Sequence, residues 1–284
     1  MNPKASRRSF LGSTLVAAAG SLAQSRSGMA ATSGSEDGEL KLGVASYSFR
    51  EFSRGLAIRD TKKLGVKYIN IKDFHLSMNS TPDEIAKARA QFEKAGLTIL
   101  GGGNITFKTN DEAEIRKNFE YAKAAGMPVI VCAPSHEVLP KMEKYVKEYN
   151  IKIAVHNHGP EDKGFFPRPQ DVLEMVKDMD PRCGLCIDVG HTARTGVDVV
   201  ETIRLAGPRL HDMHVKDLAD FTSKDSQVPV GDGKMPIVAI FKELKKMNYQ
   251  GGVMLEYEIE ADNPMPGMQK SFSYMRGVLA GLKG

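Results

Sequence analysis

Cysteine is scarce in this chain. Its three residues, Cys132, Cys183 and Cys186, are too few for a disulfide framework, so the fold has to rest on a hydrophobic core. Cys183-Gly-Leu-Cys186 has the spacing of a reactive pair. It falls inside an apolar β-run, however, where residues three apart face opposite sides, and both read as core thiols. Long apolar runs are missing too. The mildly apolar stretch 15–23 is interrupted by Gly20 and Ser21 and is far short of the ~20 residues that span a bilayer, so no stable membrane span is expected. A phosphate-cradling glycine loop is also absent. Ala45-Ser-Tyr-Ser-Phe-Arg50 follows the first apolar run, and Gly101-Gly102-Gly103, after the third, has neither a Walker lysine nor GxGxxG spacing. The triplet reads as a tight turn or as room for a ligand.

Charge of one sign is lacking once the N-terminus is set aside. The formal net charge of +4 is carried by residues 1–31, which hold Lys4, Arg7, Arg8 and Arg26 and no acid; without them Lys+Arg falls from 39 to 35, level with the 35 Asp+Glu. A nucleic-acid partner, which calls for a basic surplus, is not expected. Ser6-Arg7-Arg8-Ser9-Phe10-Leu11, the apolar stretch and the small residues Gly28-Met-Ala-Ala31 read as a twin-arginine export signal over 1–31. Residues 32–39 read as a flexible leader. The expected location is therefore periplasmic or otherwise extracytoplasmic.

From residue 40 onward short apolar runs alternate with amphipathic segments. Strands are expected at 42–46, 68–72, 98–101, 129–133, 152–157, 184–188, 210–215 and 252–257. Helices are expected at 54–64, 82–95, 112–125, 137–149, 169–177, 197–205, 236–247 and 266–282. Thr81-Pro82-Asp-Glu and Asn110-Asp-Glu are helix-start signals, and Gly65, Gly96 and Gly126 fall where left-handed caps end helices. Eight β-α units in a single domain over 40–284 predict an α/β fold, a (β/α)8 TIM barrel. An open doubly wound sheet is the competing arrangement, and it expects the phosphate loop that is missing.

Four residues close four consecutive apolar runs: His156, Asp188, His214 and Glu256. In a parallel barrel the C-terminal strand ends converge on one face, so these side chains can meet around one ion. Two imidazoles and two carboxylates suit one divalent metal ion of the Mn, Co, Fe, Ni or Zn type better than Ca or Mg. Strand parity sends Lys216 to the same face as His214, His158 to that of His156, and Glu258 to that of Glu256. Lys72 and His75 follow the second run and are candidates for binding sugar hydroxyls or a carboxylate. Tyr47, Phe49 and Phe74 offer ring-stacking surface, and Phe165-Phe166-Pro167 lies on a loop long enough to cover the site.

Gly184-Leu-Cys-Ile-Asp188-Val-Gly-His191, His214-Val-Lys-Asp217, the Val230-Gly-Asp-Gly233 turn and Gly251-Gly-Val-Met-Leu-Glu256 carry a resemblance. With them the chain resembles, over about 40–282, the xylose isomerase-like TIM-barrel family of sugar phosphate isomerases/epimerases, inosose dehydratases and endonuclease IV-type enzymes. The resemblance implies metal ligands at Asp188, His214 and Glu256 and a substrate contact at His191. Where the family usually reads Glu-Asn, this sequence has His156-Asn157. An imidazole engaged by an ion accepts protons poorly, so exchange between two glutamates on opposite faces of a substrate is not expected. Glu256 is the remaining acid/base, with Lys216 and His158 as partner catalytic groups. The implied activity is a metal-dependent isomerase or epimerase acting on an unphosphorylated sugar or keto-sugar through a stabilised enediolate. Two alternatives stay open: a lyase or dehydratase on an oxidised sugar or 3-keto-glycoside, and an inactive sugar-binding barrel. The expected partner is a small-molecule sugar, and a homo-oligomer is compatible with this reading.

Overall fold

The computed structural model describes residues 39–283. The expected export signal and all but the last residue of the leader lie outside the described residues. The eight barrel strands are β1 (Lys41–Ala45), β2 (Tyr68–Ile71), β3 (Thr98–Phe107), β4 (Val129–Pro134), β5 (Lys152–His156), β6 (Cys183–Asp188), β7 (Leu210–Val215) and β8 (Gly252–Leu255). Each pairs in parallel with its neighbours in sequence, and β1 pairs with β8 to close the barrel. Closure rules out the open sheet.

The helices are α1 (Arg54–Lys63), α2 (Pro82–Lys94), α3 (Glu112–Ala125), α4 (Leu139–Tyr149), α5 (Pro169–Val176), α6 (Val189–Arg194), α7 (Val199–Ala206), α8 (Ile237–Lys246) and α9 (Met265–Gly281). Their start and stop chemistry is local. Thr81 and Glu84 form a reciprocal capping box, Pro82 opens α2, and Asp111 caps α3. Gly65, Gly96 and Gly126 adopt φ of 70°, 75° and 73°, as helix-ending residues do. No helix among the described residues is long and apolar enough to cross a membrane.

Two features depart from expectation. β3 runs to Phe107, so the glycine triplet is not a turn: it lies within the barrel wall, at register shifts against both β2 and β4. A Cβ on Gly103, whose φ is +112°, would sit 2.0 Å from the Val131 carbonyl oxygen. The triplet is thus a bulge that lets two strands approach closely. The second departure is α6, a short helix launched directly from β6 by Asp188.

Strand parity divides the apolar residues into two sets. One face of each strand packs against the helices in the large core, which includes Cys132 and Cys183. The other fills the barrel lumen, where Val129, Val131, Ala154 and Cys186 form a small separate cluster. Cys183 and Cys186 therefore lie on opposite sides of the same strand, and both are free thiols. The polar strand ends sit above the luminal cluster.

Candidate active site

The four strand-end residues meet. One ligand atom each from His156, Asp188, His214 and Glu256 lies within 4.8 Å of the others, and all four residues are buried. His156 Nε2 is 2.9 Å from His214 Nδ1, which is 3.1 Å from Glu256 Oε2; His156 Nε2 is 3.6 Å from Asp188 Oδ2.

Asp188 is aimed by its own backbone. Its Oδ1 accepts the His191 N–H at 2.8 Å as the cap of α6, while its own N–H donates to Asn157 Oδ1. That leaves Oδ2 turned to the cluster and buried, with the Lys216 ammonium 2.9 Å away as its ion-pair partner. His156 Nδ1 and His214 Nε2, the ring nitrogens that take no part in those contacts, are buried without a hydrogen-bond partner. Two imidazoles and two carboxylates packed this closely at buried positions form the mixed nitrogen and oxygen donor set that a divalent ion satisfies. The residues present fit the implied metal.

Two lysines balance the two carboxylates. Lys72 Nζ lies 3.0 Å from Glu256 Oε1. Lys216 Nζ lies 2.9 Å from Asp188 Oδ2, 3.2 Å from Glu256 Oε2 and in contact with Glu258. Gly190 makes room for it, since a Cβ there would come within 2.8 Å of the Lys216 stem. Burial alone would push the Lys216 ammonium down, but Asp188, Glu258 and Glu256 outweigh it and hold the group well above the ordinary lysine value. Lys216 is accordingly held as the charged ammonium. Burial likewise works against ionisation of Glu256, and the charges of His214, Lys72 and Lys216 overcome it, leaving its carboxyl well below the usual range. Burial drives His156 well below 6.5 and keeps it neutral, the form that ligates a metal.

His158 stands at the mouth, half-buried, its ring 4.5 Å from that of His156. Its Nε2 meets the Asn104 amide at 2.8 Å and its Nδ1 meets Asp162 at 3.2 Å. His191 is 5.9 Å from His156, ring to ring, with Arg194 Nη1 3.2 Å from its Nδ1. Tyr47 and Phe74 form an edge-to-face pair with centroids 5.7 Å apart. Phe166 is buried against His136, so the loop after β5 is anchored by one of the three residues expected to form its cover.

His75, expected to bind substrate, is held inside the protein. It is 2% exposed; Ser46 Oγ lies 2.9 Å from Nδ1, and the carbonyls of Phe49 and Phe52 lie 3.1 Å from Nε2. Both nitrogens are committed within the protein, and none remains for a sugar. Three partners escaped the sequence reading. Asn157 positions Asp188, Asn104 holds His158, and Asn70 donates to buried Asp212 beneath the cluster at 2.5 Å. Parity places Asp212 on the luminal face with His214, and Asn157 stands in the family's Glu-Asn position, which were the available signals; Asn70 and Asn104 had none.

The chain is a closed parallel barrel that gathers His, Asp and Glu side chains at the C-terminal ends of β5–β8. The sequence profile of the xylose isomerase-like TIM barrel matches residues 58–278, and the chain belongs to that family. It is 23% identical over 225 residues to the inosose dehydratase of Lactiplantibacillus plantarum, covering 68% of this chain and 71% of that one. Among solved structures it is similar to the IolI protein with a bound zinc atom (TM-score 0.71, 19% identity, 85% and 99% of the two chains). It is also similar to the 3-keto-D-glucoside 4-epimerase YcjR of E. coli (TM-score 0.67, 16% identity, 84% and 100%). The chain spans about half the length or less of several curated relatives that it matches, 41% of a Methanocaldococcus jannaschii protein and 51% of the Clostridium tetani inosose dehydratase.

Proposed function

We propose that this chain is a metal-dependent carbohydrate enzyme that moves a proton next to a carbonyl of an unphosphorylated sugar or keto-sugar, giving isomerisation or epimerisation. The observation that carries the reading is Glu256: a buried carboxylate at a strand end, flanked by two lysines and directed at His214. The names of the relatives, dehydratases and epimerases of sugars and keto-glycosides, point the same way, and the zinc of IolI supports a divalent ion. His156, Asp188, His214 and Glu256 would hold that ion, which when bound polarises a substrate oxygen and offsets its developing charge.

Glu256 takes the proton from the carbon beside the carbonyl. Lys216, held charged 3.2 Å away, supplies a hydrogen bond to the electron-rich oxygen and a proton for the return step. Burial of the cluster excludes competing water. His156 stays neutral and serves as a ligand, so one carboxylate does the acid/base work. The same pairing favours a second reading, in which Lys216 protonates a departing hydroxyl on the next carbon and the product is dehydrated.

The test is incubation of ketoses and keto-glycosides in deuterium oxide with zinc, cobalt or manganese. An isomer of unchanged composition carrying one deuteron, absent with Glu256→Gln, is the expected result. Loss of water identifies the dehydratase reading. No exchange on any substrate sinks both and leaves a sugar-binding barrel. We also propose export, on the strength of Arg7-Arg8 and the residues after them. Fractionation of cells expressing Arg7→Lys/Arg8→Lys should find the protein retained in the cytoplasm.

A further inference from the structure

We propose that an ion held between His156 and His214 also takes the sulfur of Cys186, which makes this lumen a site for thiophilic ions, zinc foremost, in preference to manganese or magnesium. The inference rests on the metal reading above and goes beyond it by naming a ligand and a selectivity. Cys186 precedes Asp188 by two residues on β6, so it shares the luminal face, and it is directly across the ladder from His156. It is fully buried. Its sulfur and one ring nitrogen each from His156 and His214 all lie within 4.8 Å of one another. Zinc bonded to sulfur at ~2.3 Å and to imidazole at ~2.0 Å brings such ligands to roughly 3.5 Å apart, so modest side-chain movement closes the set.

Two further observations favour a ligand there. His156 Nδ1 and His214 Nε2 are buried without hydrogen-bond partners. The Cys186 sulfur also lies 3.8 Å from the carboxylate of buried Asp212, so it is turned to the polar side of the lumen. The imidazole at 156 in place of a carboxylate shifts the donor set the same way, toward softer ions. Cys132 and Cys183 lie in the other core and serve as internal controls.

The experiment uses the full chain, freed of metal by chelation and titrated with cobalt(II). Wild type, Cys183→Ser and Cys132→Ser should each develop an intense near-ultraviolet thiolate-to-cobalt charge-transfer band that saturates at one equivalent. Cys186→Ser should bind cobalt without that band. Its zinc affinity should fall by roughly 10–100-fold, the scale seen when groups supporting a metal site are removed, with manganese affinity unchanged. X-ray absorption of the zinc-loaded wild type should show one sulfur neighbour, a readout independent of whether the variant folds. Stoichiometric cobalt with no band, or no sulfur around zinc, overturns the role of Cys186 and leaves the metal reading standing. No uptake of cobalt or zinc by wild type overturns both.

Discussion

His75 spends both ring nitrogens inside the protein, on Ser46 and on the carbonyls of Phe49 and Phe52, and thereby ties the turn after β1 to the loop after β2. His75→Ala takes one hydrogen bond from each of those groups and opens a cavity, although Ser46 Oγ keeps the Lys72 N–H and the Phe49 carbonyl keeps the Phe52 N–H. The expected cost is about 3 kcal/mol from lost hydrogen bonds and packing, read by urea unfolding, with metal content unchanged. A drop in metal content without loss of stability would return His75 to the site. His156 and His75 are alike in composition and neighbourhood in the sequence; what separates them is whether carbonyls from another segment reach the ring. That is a tertiary fact, and no local pattern carries it. Asp188 shows the opposite case for its strand-end position, which the apolar run before it encodes, whereas the short helix that it caps was not expected.

At the scale of elements, the glycine triplet of β3 and the β6–β7 edge each carry a prediction. Gly103→Ala places a methyl 2.0 Å from the Val131 carbonyl oxygen at a φ of +112°, and neither strand can yield without breaking the ladder. A loss of at least ~3 kcal/mol is expected, seen as a lowered Tm and reduced soluble yield; a variant of wild-type stability would show that the bulge is not needed. His211, on β7, is 5% exposed and its Nε2 donates to the Pro181 carbonyl at 3.0 Å. Burial, aided by Lys152, pushes its pKa down from 6.5 to about 4. The native state therefore resists a proton that the unfolded chain accepts. Stability is full above pH 6.5 and falls as the pH drops from 6.5 toward 4, by about 3 kcal/mol for this group at 1.36 kcal/mol per unit. His211→Asn should flatten that part of the pH–stability curve; an unchanged slope would place the titration elsewhere.

The whole molecule was the most legible scale. Eight apolar runs separated by capped helices can bury both faces of a parallel sheet in few ways, and the strand-end residues then have one place to meet. What the sequence hid was the extension of β3 through its glycines, where glycine reads locally as a turn and its close-approach role depends on a neighbouring strand. The cluster in turn ties the barrel together: β5 and β6 each end in one of its residues, β7 carries His214 one residue before its end, and Glu256 directly follows β8. An ion bound there stabilises the folded chain alone, because the unfolded chain brings no such set together. At a free ion concentration of 100 Kd the gain is about 2.7 kcal/mol, or roughly 5–10 °C in Tm for a domain of this size. Chelator should lower the Tm of the wild type by that amount, and added zinc should restore it. Asp188→Ala and Glu256→Ala should remain folded, with secondary structure retained by circular dichroism, and show no response to either treatment. A wild type indifferent to both chelator and zinc would mean that the two lysines alone neutralise the buried carboxylates, and that the cluster is an ion-pair network in place of a metal centre.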